Sequence, residues 1–163
     1  MKTLIIYDSQ YGNTEQIAKA MATALGKEAK AVKLGQVKAA DMKGYAYIII
    51  GSPTQGGRAT PATMTFLNSL TTDDVVGKRF AAFDTRHTSF VTKFFGYAAP
   101  RIEAMIKEKR GNCTAQPQGF IVNKAKGPLV DGELERAATW AKAIVAGVPT
   151  NLMQGEYKVK TKE

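Results

Sequence analysis

Two apolar segments stand out along the chain, residues 2–7, which alternate little and carry Leu4, Ile5 and Ile6, and the continuous run of residues 45–50 ending in Tyr47-Ile48-Ile49-Ile50. A short apolar run rich in β-branched residues predicts a strand buried on both faces, as in a parallel sheet. Between them, Ile17, Met21 and Leu25 recur at i, i+4 and i+8 beside Ala18 and Ala22, which predicts a helix over residues 14–25 stopped at Gly26. Residues 30–34 alternate, with Ala31 and Lys33 against Val32 and Leu34, the pattern of a strand facing water at a sheet edge. Thr60-Pro61 places a cap before a proline at the first helical position, opening a helix through Met64, Phe66, Leu67 and Leu70.

Residues 79–83 read as a further short strand. A helix carrying Ile102, Met105 and Ile106 follows and ends at Gly111, its start left open by Gly96 and Pro100. The last strand falls within residues 113–122, and Pro117 makes it an edge strand or breaks it. Asp131 is expected to cap a final helix with Leu134, Ala138, Ala141 and Val145 on its inner face. Residues 1–150 then form one domain, and residues 151–163 a polar, lysine-bearing tail.

Strands alternating with helices predict parallel βαβ units with helices on both faces. Edge-like strands at positions two and five fit a five-stranded, doubly wound three-layer sandwich of order 2-1-3-4-5. Ligands of such sheets bind beyond the carboxyl ends of the central strands, which directs attention to the loops after strands one, three and four.

Composition narrows the classes. With 163 residues, 44% hydrophobic and 23% charged, the chain has ordinary globular composition, and its longest apolar run falls far short of a spanning helix. Cys113 is the single cysteine, so neither an internal disulfide nor a cysteine-rich metal site can form, and the thiol reads as structural. No secretory leader is visible, so a cytoplasmic location is expected. The formal charge of +9 is spread along the chain without an aromatic-basic repeat, and nucleic acid is not the expected partner.

The first of the three loops reads Asp8-Ser9-Gln10-Tyr11-Gly12-Asn13-Thr14-Glu15. Hydroxyls, an amide and a glycine ahead of a helix start form a cradle for a phosphomonoester, built from neutral donors and the positive helix end. The alternative is a capped turn with Asn13 or Thr14 at the cap. A phosphoacceptor receiver domain is excluded because Asp8 stands alone and Gly51-Ser52-Pro53 ends the third strand without a carboxylate. A Walker-type NTPase is excluded because the loop lacks Gly-Lys-Ser/Thr.

Ser-x-Tyr-Gly-Asn-Thr-Glu after a first strand resembles the phosphate loop of the flavodoxin family. Gly51-Ser52-Pro53-Thr54 is similar to the second-loop turn of flavodoxin-like and quinone-reductase-like proteins. Gly127-Pro128-Leu129, the segment Asp131-Gly132-Glu133-Leu134-Glu135-Arg136-Ala137 and Trp140-Ala141 resemble the last helix of some flavodoxin-like proteins. The resemblance implies FMN as cofactor. Carried over by position, Ser9, Gln10, Tyr11, Gly12, Asn13 and Thr14 would hold its phosphate. Pro53, Thr54, Gln55 and Gly56 would line the ribityl chain and one ring face, and Asp84, Thr85, Arg86 and His87 would meet the pyrimidine edge and the other face.

The chain departs from that family pattern in two ways. Gln55 stands where a tryptophan commonly stacks on the ring, and no tyrosine occurs in the third loop before Phe95, which leaves His87 and Phe90 as stackers, His87 preferred. Flavodoxins are usually acidic, whereas Arg58, Arg86, His87, Lys93 and Lys124 lie in or near the expected rim. A basic rim predicts redox partner proteins with an acidic docking surface, and a less penalised anionic reduced flavin. Without a long insertion, the chain resembles the short-chain form. The resemblance implies a low-potential electron carrier, with an FMN-dependent NAD(P)H:quinone reductase as the alternative.

Overall fold

The computed structural model describes residues 1–150, with the side chains of Phe90 and Val91 excepted. The expected tail, residues 151–163, lies outside the described residues. The two apolar runs form β1 (Thr3–Tyr7) and β3 (Tyr47–Pro53) at the centre of a parallel sheet. Alternation of side chains sends Leu4 and Ile6 of β1 into one core layer and Ile5 and Tyr7 into the other. Between these strands come α1 (Asn13–Leu25) and β2 (Ala29–Lys33), the latter half-buried and at the sheet edge as its alternation predicts.

The chain continues through α2 (Pro61–Ser69), the short α3 (Thr72–Val75) and β4 (Arg79–His87). Thr60 caps α2 by accepting from the Thr63 amide at 3.3 Å, and Pro61 takes the first helical position as expected. The open start of the next helix resolves into two elements. Ser89 caps α4 (Phe90–Phe95) in a reciprocal box with Thr92, Gly96 at φ 82° ends it, and Pro100 sits in the first turn of α5 (Ala98–Glu108).

Position five of the sheet is broken, as Pro117 foretold. The two-residue β5 (Asn112–Cys113) pairs with Arg79 and Phe80, and β6 (Gln118–Val122) pairs with residues 83–87, both parallel to β4. The path β2-β1-β3-β4-β5 is the doubly wound order, with β6 as an extra segment on the same edge of β4. Helices α1 and α6 (Glu133–Ala146) cover one face through Ile17, Met21, Ala137, Trp140 and Ile144. The other face is covered by α2, α3 and α5 through Leu67, Val75, Ile102 and Ile106.

The last helix corrects two expectations. Gly132, not Asp131, occupies the cap position, and the buried stripe is Glu133, Ala137, Trp140, Ala141 and Ile144, leaving Leu134 exposed. An apolar tally skips Glu133, yet its carboxylate is fully buried because Arg136 binds it at 2.6 Å and the Ile121 amide donates to it at 2.6 Å. Trp140 packs edge-on against Phe120 with centroids 6.1 Å apart, a core residue as its place on the last helix suggested. Among the described residues no helix is long and apolar enough to cross a membrane.

Candidate functional site

A cavity of about 650 Å³ opens beyond the carboxyl ends of β1, β3 and β4, where a doubly wound sheet places its ligand. Its walls include Ser9, Gln10, Tyr11, Asn13, Thr14, Pro53, Thr54, Gln55, Gly56, Thr85 and His87. Every residue expected at the site is therefore brought there except Gly12, Asp84 and Arg86.

Gly12 serves the site through the backbone. It occupies the cap position of α1 at φ 89°, a left-handed conformation that glycine adopts without a side-chain penalty. Having no side chain, it cannot cap the helix. The Ser9 hydroxyl accepts instead, from the Gly12 amide at 3.2 Å and the Glu15 amide at 3.3 Å. The amides of Asn13 and Thr14 find no acceptor among the described residues, so donors and the positive helix end converge on the cavity floor. This disfavours the capped-turn reading, since neither Asn13 nor Thr14 closes the helix end. Their buried side chains tie the loop to its neighbours: the Asn13 amide donates to the Lys126 carbonyl at 3.2 Å, and the Thr14 and Thr85 hydroxyls lie 2.8 Å apart.

The second loop is held from three sides. Thr54 donates its amide to the Thr85 carbonyl at 2.9 Å, and its hydroxyl accepts from the Ala98 amide at 2.9 Å. Gln55 donates to Gln10 across the cavity mouth, joining the first and second loops. Gly57, at φ 78°, faces the Phe95 carbonyl so closely that a Cβ there would stand 2.4 Å from it. Thr60 also donates to Asp8 at 2.5 Å, so the carboxylate that follows β1 is turned into the fold.

Asp84 and Arg86 are elsewhere, because β4 runs on to His87 and strand alternation separates even from odd positions. Thr85 and His87 face the cavity, whereas Asp84 and Arg86 face α5. Arg86 binds Asp84 through Nε and Nη2, both at 2.7 Å, and its guanidinium lies 3.6 Å from the Tyr97 ring centroid. Burial pushes the Asp84 carboxyl above the usual carboxylate range, opposed by Arg86, by the Ala99 amide at 2.8 Å and by the Thr54 hydroxyl. The pair thus reaches the site at one remove, through Thr54.

Further walls come from Gly57, Thr92, Phe95, Val122 and Ala125. Phe95 is an aromatic wall that the sequence pattern does not single out, because the start of the following helix is ambiguous at Gly96 and Pro100. The run Phe94-Phe95-Gly96-Tyr97 was its signal. The Phe90 side chain, the second expected stacker, lies outside the described residues. Arg58, Lys93 and Lys124 are exposed on segments bordering the cavity, and Lys126 stands over the Tyr11 ring at 5.6 Å. Among the described residues no cluster of His, Cys, Asp or Glu is placed to hold a metal ion.

An open parallel sheet with a helix start and a roomy cavity at its crest defines a domain of the doubly wound class. The chain belongs to the flavodoxin family: the family profile described as a flavodoxin domain matches residues 4–93. Among solved structures it is similar to oxidised flavodoxin 2 from Bacillus cereus, with 24% identity over 90% of this chain and 99% of that one, at a TM-score of 0.74. Oxidised flavodoxin 1 from the same organism has 20% identity, coverage of 90% and 98%, and a TM-score of 0.74. A flavodoxin from the domain Archaea has 21% identity, coverage of 90% and 97%, and a TM-score of 0.72. No curated protein sequence is found as a relative.

Proposed function

We propose that the chain is an FMN-binding electron carrier. The observation that carries this reading is the cradle of neutral donors at the start of α1, where the Asn13 and Thr14 amides find no acceptor among the described residues, opening into the cavity. A cradle of amides and hydroxyls suits a dianionic phosphomonoester, and the cavity is of the size that takes a drug-sized ligand. FMN would supply the one-electron chemistry when bound, which no side chain lining the cavity offers.

The residues divide the work as follows. Ser9, Gln10, Tyr11, Gly12, Asn13 and Thr14 hold the phosphate, with the Ser9 hydroxyl turning from acceptor to donor once an anion is present. Pro53, Thr54, Gln55 and Gly56 line the ribityl chain and one ring face, with Thr85, His87 and Phe95 opposite. Asp84 and Arg86 hold Thr54 rather than the ligand. The family supports partners that are redox proteins, and the basic rim favours those with an acidic docking surface.

Titration of the purified, flavin-stripped protein with FMN tests the reading. Uptake with perturbed absorbance near 450 nm and much weaker binding of riboflavin is the expected result. Failure to bind FMN, or equal affinity for riboflavin, overturns it. NADPH should leave the bound flavin oxidised, and rapid bleaching would instead favour the quinone-reductase alternative.

A further inference from the structure

The segments that border the cavity are depleted of acid over long stretches. Residues 51–72, 85–102 and 109–130 contain no Asp or Glu. Two carboxylates near the cavity are engaged internally, Asp8 with Thr60 and the Ser9 amide and Asp84 with Arg86 and the Ala99 amide, whereas Asp73, Glu108 and Asp131 at the ends of these stretches are exposed. Three exposed cations remain around α4. Lys93 is part of it, Arg101 donates to the Phe95 carbonyl at 3.4 Å, and Arg58 closes the turn whose Gly57 lies against that same carbonyl.

Next to Lys93 on the same helix stands Phe94, 82% exposed, its ring edge-on to Phe95 at 5.5 Å between centroids. Phe95 is half exposed and lines the cavity, and Tyr11 is exposed on the opposite wall. Tyr11, Phe94 and Phe95 are the strongly exposed aromatics among the described residues; Tyr11 and Phe95 line the cavity, and Phe94 packs against Phe95. An apolar ring with a charged surround is the anatomy of an interface, in which the aromatic anchors and the rim steers.

We propose that Phe94, with the exposed cations Arg58, Lys93 and Arg101 around its helix, anchors a docking face for an acidic redox protein, with electrons crossing between partner and cavity beside the Phe94–Phe95 pair. The proposal rests on the carrier reading above. A protein partner fits better than nucleic acid, because the patch presents one protruding ring beside exposed cations and no row of successive stacking platforms.

Two acceptors of opposite charge and similar high potential provide the test: an acidic plastocyanin and a basic cytochrome c. Each takes one electron per molecule, copper(II) becoming copper(I) or iron(III) becoming iron(II), from the FMN-loaded protein reduced beforehand by a photochemical donor. At low salt the acidic acceptor should be reduced at least tenfold faster, and this advantage should shrink as salt rises. Phe94→Ser should slow that reaction at least fivefold while leaving FMN affinity and the cytochrome rate within twofold. The double variant Lys93→Glu/Arg101→Glu should reverse the preference. An unchanged rate in Phe94→Ser, or a wild-type preference for the basic acceptor, overturns the proposal. A single-stranded RNA oligomer that binds the apoprotein more tightly than oxidised plastocyanin overturns the choice of a protein partner. Failure to take up FMN overturns the carrier reading alone. The docking face is then judged by plastocyanin binding to the apoprotein in chemical-shift titrations, where Phe94→Ser must weaken binding at least fivefold.

Discussion

Arg86→Leu isolates what the buried pair beside α5 does for the fold. Asp84 has no exposed surface, and the Arg86 side chain is 16% exposed. Removing the guanidinium deletes two 2.7 Å charge-assisted hydrogen bonds and a stack on Tyr97 at 3.6 Å. Breaking a buried pair by taking away one partner costs about 3–5 kcal/mol, because the remaining charge stays in the interior. The leucine recovers about 1 kcal/mol by burying its own apolar surface. A net loss of about 3 kcal/mol is therefore expected at pH 7, a large part of the ~5–15 kcal/mol that holds a domain together.

The pH dependence fixes the cause. Burial already raises the Asp84 carboxyl, and the variant loses the two Arg86 contributions that oppose this, so the carboxyl rises further. A carboxyl raised in the folded state binds its proton more tightly there than in the unfolded chain. The part of the deficit due to the Asp84 charge is therefore full above the variant's raised value, shrinks as pH falls through it and is gone below the wild-type folded value, where only the lost stack on Tyr97 remains. Urea denaturation of wild type, Arg86→Leu, Asp84→Leu and the double variant at pH 5 and pH 7 measures both effects. The double variant should recover most of the loss, since neutral packing replaces the pair. A single-variant cost below about 1 kcal/mol at pH 7, or a deficit equal at the two pH values, refutes the reasoning.

Thr14→Ala removes a hydroxyl from the cradle, and calorimetry should find FMN binding weaker by about 1–3 kcal/mol with riboflavin binding unchanged. Burial, reinforced by nearby Glu103, pushes the Cys113 thiol up to about 11. At pH 8 a disulfide reagent should therefore label it on the order of 100-fold more slowly in the folded protein than in guanidinium. The Tyr7 hydroxyl donates to Glu15 at 2.8 Å and is the leading cause of that carboxyl's lowered value, followed by Lys19. A depressed carboxyl stabilises the fold above its ordinary range and loses that contribution as pH falls through its folded value. The urea midpoints of wild type and Tyr7→Phe should therefore converge on acidification below pH 4; a gap of constant size from pH 7 to pH 3 counts against the hydrogen bond's role.

The layers of the fold were legible because β1 and β3 are buried on both faces and their sequences show it without ambiguity. The first loop was legible for a related reason, since few segments put so many neutral donors ahead of a helix. What was misread shares one physical origin: position on an element was inferred before the element's extent was known. The short strand that the sequence predicts over residues 79–83 leaves residues 84–87 in a loop, where neighbouring side chains can all meet one ligand. They are the end of β4, where parity divides them, and Thr85 and His87 could have been separated from Asp84 and Arg86 by counting alternation from Phe83. The last helix failed in the complementary way. Its inner stripe begins with a glutamate, and only the partner Arg136, three residues on, makes that burial tolerable.

These two errors meet at β6. Arg86 covers Gly119 on one face of the strand, so closely that a Cβ there would lie 2.2 Å from the guanidinium carbon. On the other face Arg136 donates to the Gly119 carbonyl at 2.5 Å and lies over the Phe120 ring at 4.6 Å. Each arginine is matched by a fully buried carboxylate, Asp84 or Glu133, so this edge of the sheet is neutral although it holds two cations. The positive charge felt at the cavity must then come from exposed groups, Arg58, Lys93, Lys124 and Lys126. Solvent weakens each of them: at about 10 Å and an effective dielectric between 40 and 80, one unit charge acts on another by roughly 0.4–0.8 kcal/mol. Salt reduces this further over a Debye length of about 10 Å at 0.1 M. The basic character of the chain therefore bears more on how an acidic partner approaches than on the ligand held inside, because steering sums many weak charges over a face while the cavity senses only the nearest few.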